Sequence, residues 1–342
     1  MGSENGAKTI FQRAFRKGQG HFRNSSPTIS EAGRTPDDEK GKRNSHLLAI
    51  GHEAENLMPV LRGDDGAISF FKNRGIHWWR SGRSGDSCMQ DIPTRNLASS
   101  QIACVNFLLP LASIDGALET LLQAVDQDVE RVESLAYKGM TSKVDFEWIG
   151  LGSSLEGGAG TRGAKTTSID ALLVASARGV RIAYLLEWKC CEEYTEGEFL
   201  GGGPSGDTRR GRYGKMYSRT DSSFNGQAPL DELLYDPFYQ LMRMHLLGDR
   251  MVREREFGAT EFMVVVVCPE ENTAYRNTIT SPGLSDRFPQ ATTVLDAMRT
   301  TLKTPTTLRM ISQSSLLSAL RSSPCSPSIQ EWAAYHQERY GW

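Results

Sequence analysis

Two carboxylates and a lysine are the residues whose types and spacing could do chemistry. Ser168-Ile169-Asp170-Ala171-Leu172-Leu173-Val174 is followed by Arg178-Gly179, then by Ala183-Tyr184-Leu185-Leu186-Glu187-Trp188-Lys189. Both arms are apolar runs of strand length, and the glycine-containing dipeptide between them suits a two-residue hairpin loop. A loop at Arg178-Gly179 puts Asp170 directly opposite Glu187. Lys189 is two residues beyond Glu187, so strand alternation places it on the same face. Asp170 and Glu187 are then candidate ligands of a divalent metal, with the Lys189 ammonium beside them. That is the equipment for hydrolysing a phosphodiester. The ion would polarise the phosphate and acidify a bound water, and Lys189 would orient that water and offset charge in the transition state. An all-oxygen site favours Mg2+, with Mn2+ as a substitute. A plain cross-strand ion pair of Lys189 with a surface carboxylate is the structural alternative.

The elements that must position this set can be read on either side of it. Val144-Asp145-Phe146-Glu147-Trp148 alternates apolar and acidic residues and predicts a strand with Asp145 and Glu147 on one face. Glu147 is the favoured of the two as a further ligand or water contact, against a solvent-facing strand residue. From Ser99 the chain turns apolar and helical, and Pro110 breaks or kinks that run. Ala117 to Val125 has amphipathic helical spacing. Residues 197–229 read as a long Gly- and Ser-rich loop. Leu230 to Arg253 predicts a helix whose true start lies near Pro237, with Gln240 and Arg243 one turn apart on a shared face. Read from spacing alone, Gln240 and Arg243 form a polar stripe on an amphipathic helix. Phe262 to Cys268 is a buried strand, and a last helix begins near Ser328. The expected fold is α/β, with a small mixed central sheet (strands near 144–148, 168–176, 181–190 and 261–268) flanked by helices.

Composition narrows the setting. With 39 Lys and Arg against 41 Asp and Glu, the formal charge of −2 creates no global field towards nucleic acid, so any attraction must come from local patches. The span Arg209-Arg210-Gly211-Arg212-Tyr213-Gly214-Lys215 is such a patch. Arg209, Arg210, Arg212, Tyr213 and Lys215 are candidate nucleic-acid contacts, against a solvated loop. Its Gly-Lys pair is no phosphate-binding loop, because Arg209 stands where the first glycine is required and Met216 where Ser or Thr is required. Residues 1–45 read as a disordered basic arm, with Phe11, Phe15 and Phe22 interleaved among the charges. Residues 46–94 are an accessory segment whose His77-Trp78-Trp79-Arg80 cluster could stack on a base or plug a small core. The six cysteines form no CxxC pair, and Cys104 and Cys268 sit in apolar runs. A reducing, cytoplasmic setting is expected. No apolar run approaches the roughly 20 residues that cross a bilayer. His245 has no orienting partner in sequence and reads as a packed residue.

The hairpin resembles the core of the PD-(D/E)XK nuclease superfamily, with Ile169 where the name-giving pattern has proline. Several segments resemble, more narrowly, a bacterial restriction-endonuclease-like family within it. These are Ser99-Ser100-Gln101, Arg162 to Asp170, Leu186 to Tyr194, Asp236 to Arg243 and Asn272 to Arg276. The similarity covers residues 95–342. By this resemblance Asp170 and Glu187 would be the metal ligands, Lys189 the catalytic lysine, and Glu147 and Gln240 further members of the site. It implies a Mg2+-dependent endonuclease acting on DNA and leaving 5′-phosphate and 3′-hydroxyl ends. A homodimer would follow if both strands are cut. The alternative is a nucleic-acid-binding protein on the same fold with weak or absent cleavage.

Overall fold

The hairpin forms in the register set by its loop. In the computed structural model, which describes residues 10–36, 38–79, 89–152, 154–157, 166–194, 197–322 and 327–342, Ala171 pairs with Leu186 and each rung follows to Ala177 and Val180. Arg178 and Gly179 both take positive φ, 53° and 75°, the backbone of the turn whose twist matches the strands it joins.

Six strands form one mixed sheet: β1 (Val129–Val132), β2 (Asp145–Trp148), β3 (Ile169–Ala177), β4 (Val180–Trp188), β5 (Glu261–Val267) and β6 (Leu308–Ile311). The order is β6-β5-β4-β3-β1, and β2 also pairs with β3. Strands β1 to β4 are joined antiparallel, whereas β4, β5 and β6 run parallel. This is the small mixed sheet expected. The short strands β1 and β6 are additions to the four that the sequence pattern predicts.

Six longer helices cover the faces: α1 (Ile10–Ser25), α2 (Ser100–Leu111), α3 (Gly203–Tyr217), α4 (Phe238–Glu254), α5 (Gln313–Ser322) and α6 (Pro327–Tyr340). Alternation along the hairpin sends its side chains into two cores. Ala171, Leu173, Tyr184, Leu186 and Trp188 join Phe107 of α2 and Trp332 of α6 on one side. Leu172, Val174, Ala183 and Leu185 join Tyr213 of α3 and Leu241 of α4 on the other. Parallel β4 and β5, buried on both sides, need the long crossover that α3 and α4 supply.

Two expectations are corrected. The described part of the N-terminal arm is ordered: α1 buries Phe15 and Phe22 in the first core, with Phe22 edge-on to Tyr335 at 5.9 Å. Gln19 Nε2 donates to the Arg339 carbonyl at 2.8 Å, so α1 and α6 are bonded as well as packed. The aromatic residues outweigh the charge that suggested disorder, because Arg13 and Lys17 sit on the solvent side of an amphipathic helix and Arg23 donates to the Leu47 carbonyl. The Gly-rich 197–229 stretch contains α3. Packing overrides its low helix propensity: Tyr213 and Tyr217 are buried, and Gly206 lies so close to the Gly201 carbonyl that a Cβ would collide there. Helix α4 starts after Pro237, as expected.

Candidate metal and phosphate site

The candidate residues meet in a cleft of about 780 Å3 at one end of the sheet, between α3 and α4 on one side and Trp79 and the start of α2 on the other. The paired rungs of the hairpin end at Ala171 and Leu186, and Asp170 and Glu187, the residues just beyond them, both line the cleft. Asp170 Oδ2 accepts the Trp188 N–H at 2.7 Å. Glu187 Oε1 accepts from Lys189 Nζ and from Gln240 Nε2, each at 2.7 Å. Lys189 Nζ also donates to Gln240 Oε1 at 2.9 Å. One carboxamide on the first turn of α4 thus ties together the carboxylate and the ammonium. The Lys189 backbone is held like a strand residue past the end of β4. Its N–H donates to the Val267 carbonyl at 2.8 Å, and its carbonyl accepts from Gln313 Nε2 at 2.6 Å.

Glu147 also reaches the cleft, by a route the alternation pattern does not predict. It takes φ 48°, a left-handed conformation that is costly for a residue with a Cβ. Its Oε1 accepts from Gln101 Nε2 at 2.8 Å and Trp79 Nε1 at 3.1 Å, and its Oε2 from Ser168 Oγ at 2.6 Å. Ser99 caps α2 by accepting the Ile102 N–H, which fixes the turn carrying Gln101. Asp145 does not share this surface. It is buried against Arg74, Nη1 to Oδ2 at 3.0 Å.

The charged groups of the set act strongly on one another. Burial, then the Glu187 and Glu147 charges, hold the Asp170 carboxyl well above its ordinary range. Burial raises Glu147 too, opposed by hydrogen bonds from Ser168, Gln101 and Trp79. Burial disfavours the Lys189 ammonium, but the Glu187 carboxylate together with Tyr194, Tyr275 and Glu192 outweighs it and holds the group above its usual value. Glu187 Oε2 is buried with no hydrogen-bond partner. An orphaned oxygen beside a destabilised carboxyl suits a hard divalent ion. Among the described residues, no group of three or more His, Cys, Asp or Glu side chains could hold a metal ion.

The basic candidates divide because they lie on a helix. Arg209, Arg212 and Tyr213 line the cleft. Tyr213 is buried and donates through its hydroxyl to Glu156 Oε1 at 2.7 Å, which makes it a structural tie. Arg210 turns away and pairs with Asp231 at 2.8 Å, and Lys215 is exposed outside the cleft. The sequence reading of Arg243 as a polar stripe misses that it lines the cleft too. Its one-turn spacing from Gln240 is the signal that could have found it.

The tryptophan pair also divides. Trp78 stacks on Phe71 at 3.8 Å inside the core, while Trp79 lines the cleft and is 38 % exposed. Arg80, Cys88, Cys325 and the Arg162 to Lys165 part of the resembling segment lie outside the described residues. His245 is a packed residue, as expected. Its Nδ1–H donates to the Leu241 carbonyl at 2.8 Å, and burial lowers it to about 4. Among the described residues, no helix is long and apolar enough to cross a membrane.

Comparison with curated proteins finds no match, nor does comparison with solved structures. The family model described as Restriction Endonuclease associating with ARP matches residues 72–341, a span that takes in Trp79 and each of the cleft residues named above. The α/β architecture, with its mixed sheet between helices, is compatible with a restriction-endonuclease-like core. The chain belongs to the family described as Restriction Endonuclease associating with ARP.

Proposed function

We propose that the protein is a Mg2+-dependent endonuclease of the PD-(D/E)XK type that hydrolyses DNA phosphodiester bonds. The observation that carries this reading is the buried Glu187–Lys189 pair held by Gln240, with Asp170 beside it at the foot of the cleft. Asp170 and Glu187 would hold the metal, with Mn2+ as a substitute for Mg2+. When bound, the ion supplies Lewis-acid polarisation of the scissile phosphate and acidifies a water. Lys189 keeps its proton and presents a fixed positive charge where negative charge gathers on the phosphate. Gln240 sets the positions of Lys189 and Glu187. Both Glu147 oxygens are occupied by hydrogen bonds, which suits a water-orienting role better than a direct metal bond.

The four described cysteines, Cys104, Cys190, Cys191 and Cys268, are buried free thiols, in keeping with a reducing cytoplasmic setting. Cutting both strands would call for a second site, supplied by a homodimer.

The test is plasmid DNA incubated with protein and Mg2+, beside Asp170→Ala and Lys189→Ala. Nicking that disappears in both variants while DNA binding persists supports the reading. Wild-type protein that binds DNA and cuts nothing with Mg2+ or Mn2+ refutes it in favour of a binding protein on the same fold.

A further inference from the structure

The cleft is positive on one wall in a way that the carboxylate site does not use. Arg209, Arg212 and Arg243 line it together with Tyr239. The Arg243 guanidinium lies 4.5 Å from the centre of the Tyr239 ring and that of Arg209 lies 5.6 Å from it. One phenol ring therefore carries two cations. This stacking fixes a guanidinium plane while leaving its edge N–H groups able to donate. Arg209 Nη1 is anchored on the Leu200 carbonyl at 2.5 Å. Among the described residues, none of the three arginines forms a salt bridge, whereas Arg210, on the opposite side of α3, pairs with Asp207 and Asp231. Asp236 lies within electrostatic reach of Arg243 and Arg209, but no ion pair joins them. Arg243 Nε is buried without a partner.

Two guanidiniums on one phenol ring, with a third beside them and no ion pair among the described residues, make a wall ready to face an anion. Their place indicates which anion. Arg243 is one turn of α4 beyond Gln240, and residues so spaced carry Cβ atoms about 5–6 Å apart. That step is comparable with the separation of neighbouring phosphates along a strand. A phosphate at Lys189 would leave the next phosphate against this wall.

We propose that Arg209, Arg212 and Arg243, arrayed about Tyr239, form a second anion subsite that grips the phosphate adjacent to the scissile one. The substrate is then a polynucleotide with consecutive phosphates, not an isolated phosphodiester. The inference rests on the phosphodiester-cleaving reading and sharpens it. Arg243 enters as a binding residue, and Arg210 and Lys215 leave the candidate set.

The test has two arms. In the first, wild-type protein, Arg212→Gln and Arg243→Gln bind a labelled duplex oligonucleotide in EDTA across a salt series. Each substitution should weaken binding about tenfold, as expected for one charge-assisted hydrogen bond. Each should also lower the slope of log affinity against log salt by about 0.9. Arg210→Gln should change neither. In the second, the same proteins with Mn2+ hydrolyse the oligonucleotide and bis(p-nitrophenyl) phosphate, which has a single phosphodiester. The two variants should raise KM for the oligonucleotide about tenfold more than KM for the small ester.

Arg212 is exposed, so its substitution separates loss of contact from loss of folding. Unchanged slopes, or equal losses on both substrates, overturn the subsite. If wild-type protein cuts neither substrate, the nuclease reading falls, and the binding arm still decides the subsite.

Discussion

Gln240 is the residue on which the site's internal order depends. Its carboxamide donates to Glu187 and accepts from Lys189, at 2.7 and 2.9 Å. Gln240→Leu removes both bonds at similar volume. Gln240→Glu keeps an acceptor for Lys189, removes the donor to Glu187 and sets a second carboxyl against it. A hydrogen bond to a charged group is worth about 1.5–3 kcal/mol. If the Glu187 bond persists into the transition state, losing it slows cleavage by about 10-fold to about 150-fold. The assay is the initial rate of plasmid nicking over a Mg2+ titration, with the metal-free unfolding midpoint measured in parallel. Gln240→Leu should cut slowly at every Mg2+ concentration. Gln240→Glu should in addition unfold several degrees below Gln240→Leu, because like charges then share a buried site. Variants that nick within twofold of wild type at the same Mg2+ midpoint would refute a role for the carboxamide in positioning Glu187 and Lys189.

Four further outcomes follow from the structure. Asp170→Asn should raise the metal-free unfolding midpoint, since it removes a carboxyl held out of its ordinary range by burial and two like charges, and it should abolish any rise on adding Mg2+. Arg74→Met should cost about 3–5 kcal/mol by stranding buried Asp145, and Arg74→Met with Asp145→Leu should recover most of it in chemical denaturation. Phe22→Ala should cost about 3–5 kcal/mol, whereas a disordered arm would lose nothing. His245 and His336 are buried and lowered to about 4 and about 3 by burial, so below about pH 6.5 the unfolded chain binds protons that the native state does not. Stability should therefore fall by about 1.4 kcal/mol per pH unit for each imidazole between about pH 6 and pH 4.5, and His245→Asn should flatten that limb.

What could be read from the chain was whatever depends on short-range geometry. A two-residue loop fixes every rung of a hairpin, so the pairing of Ala171 with Leu186, one step short of Asp170 and Glu187, followed from Arg178-Gly179. The start of α4 followed from Pro237, whereas Gln240 was pointed to by the family resemblance and not by spacing. The misses arise where tertiary contacts override local preference. Helix α3 contains four glycines besides its basic residues, and it holds because its tyrosines are buried and Gly206 fits against Gly201. Helix α1 has aromatic residues at helical spacing, but their burial depends on α6, more than 300 residues later in the chain. At Glu147 the backbone leaves the strand conformation, so a period-2 argument could not separate its fate from that of Asp145. The tryptophan pair offered two readings, a core plug and an exposed aromatic, and each residue took one.

The clamp of Gln313 on the Lys189 carbonyl has a consequence for genetics. Gln313 begins a helix behind the sheet and is wholly shielded from solvent. Random mutagenesis scored for lost DNA damage should nonetheless return this position. Any shorter side chain there removes one of the two backbone ties at the residue that carries the ammonium, leaving only the bond to the Val267 carbonyl. A mutational map would then show sensitivity at a buried residue just behind the cleft, with no ligand touching it.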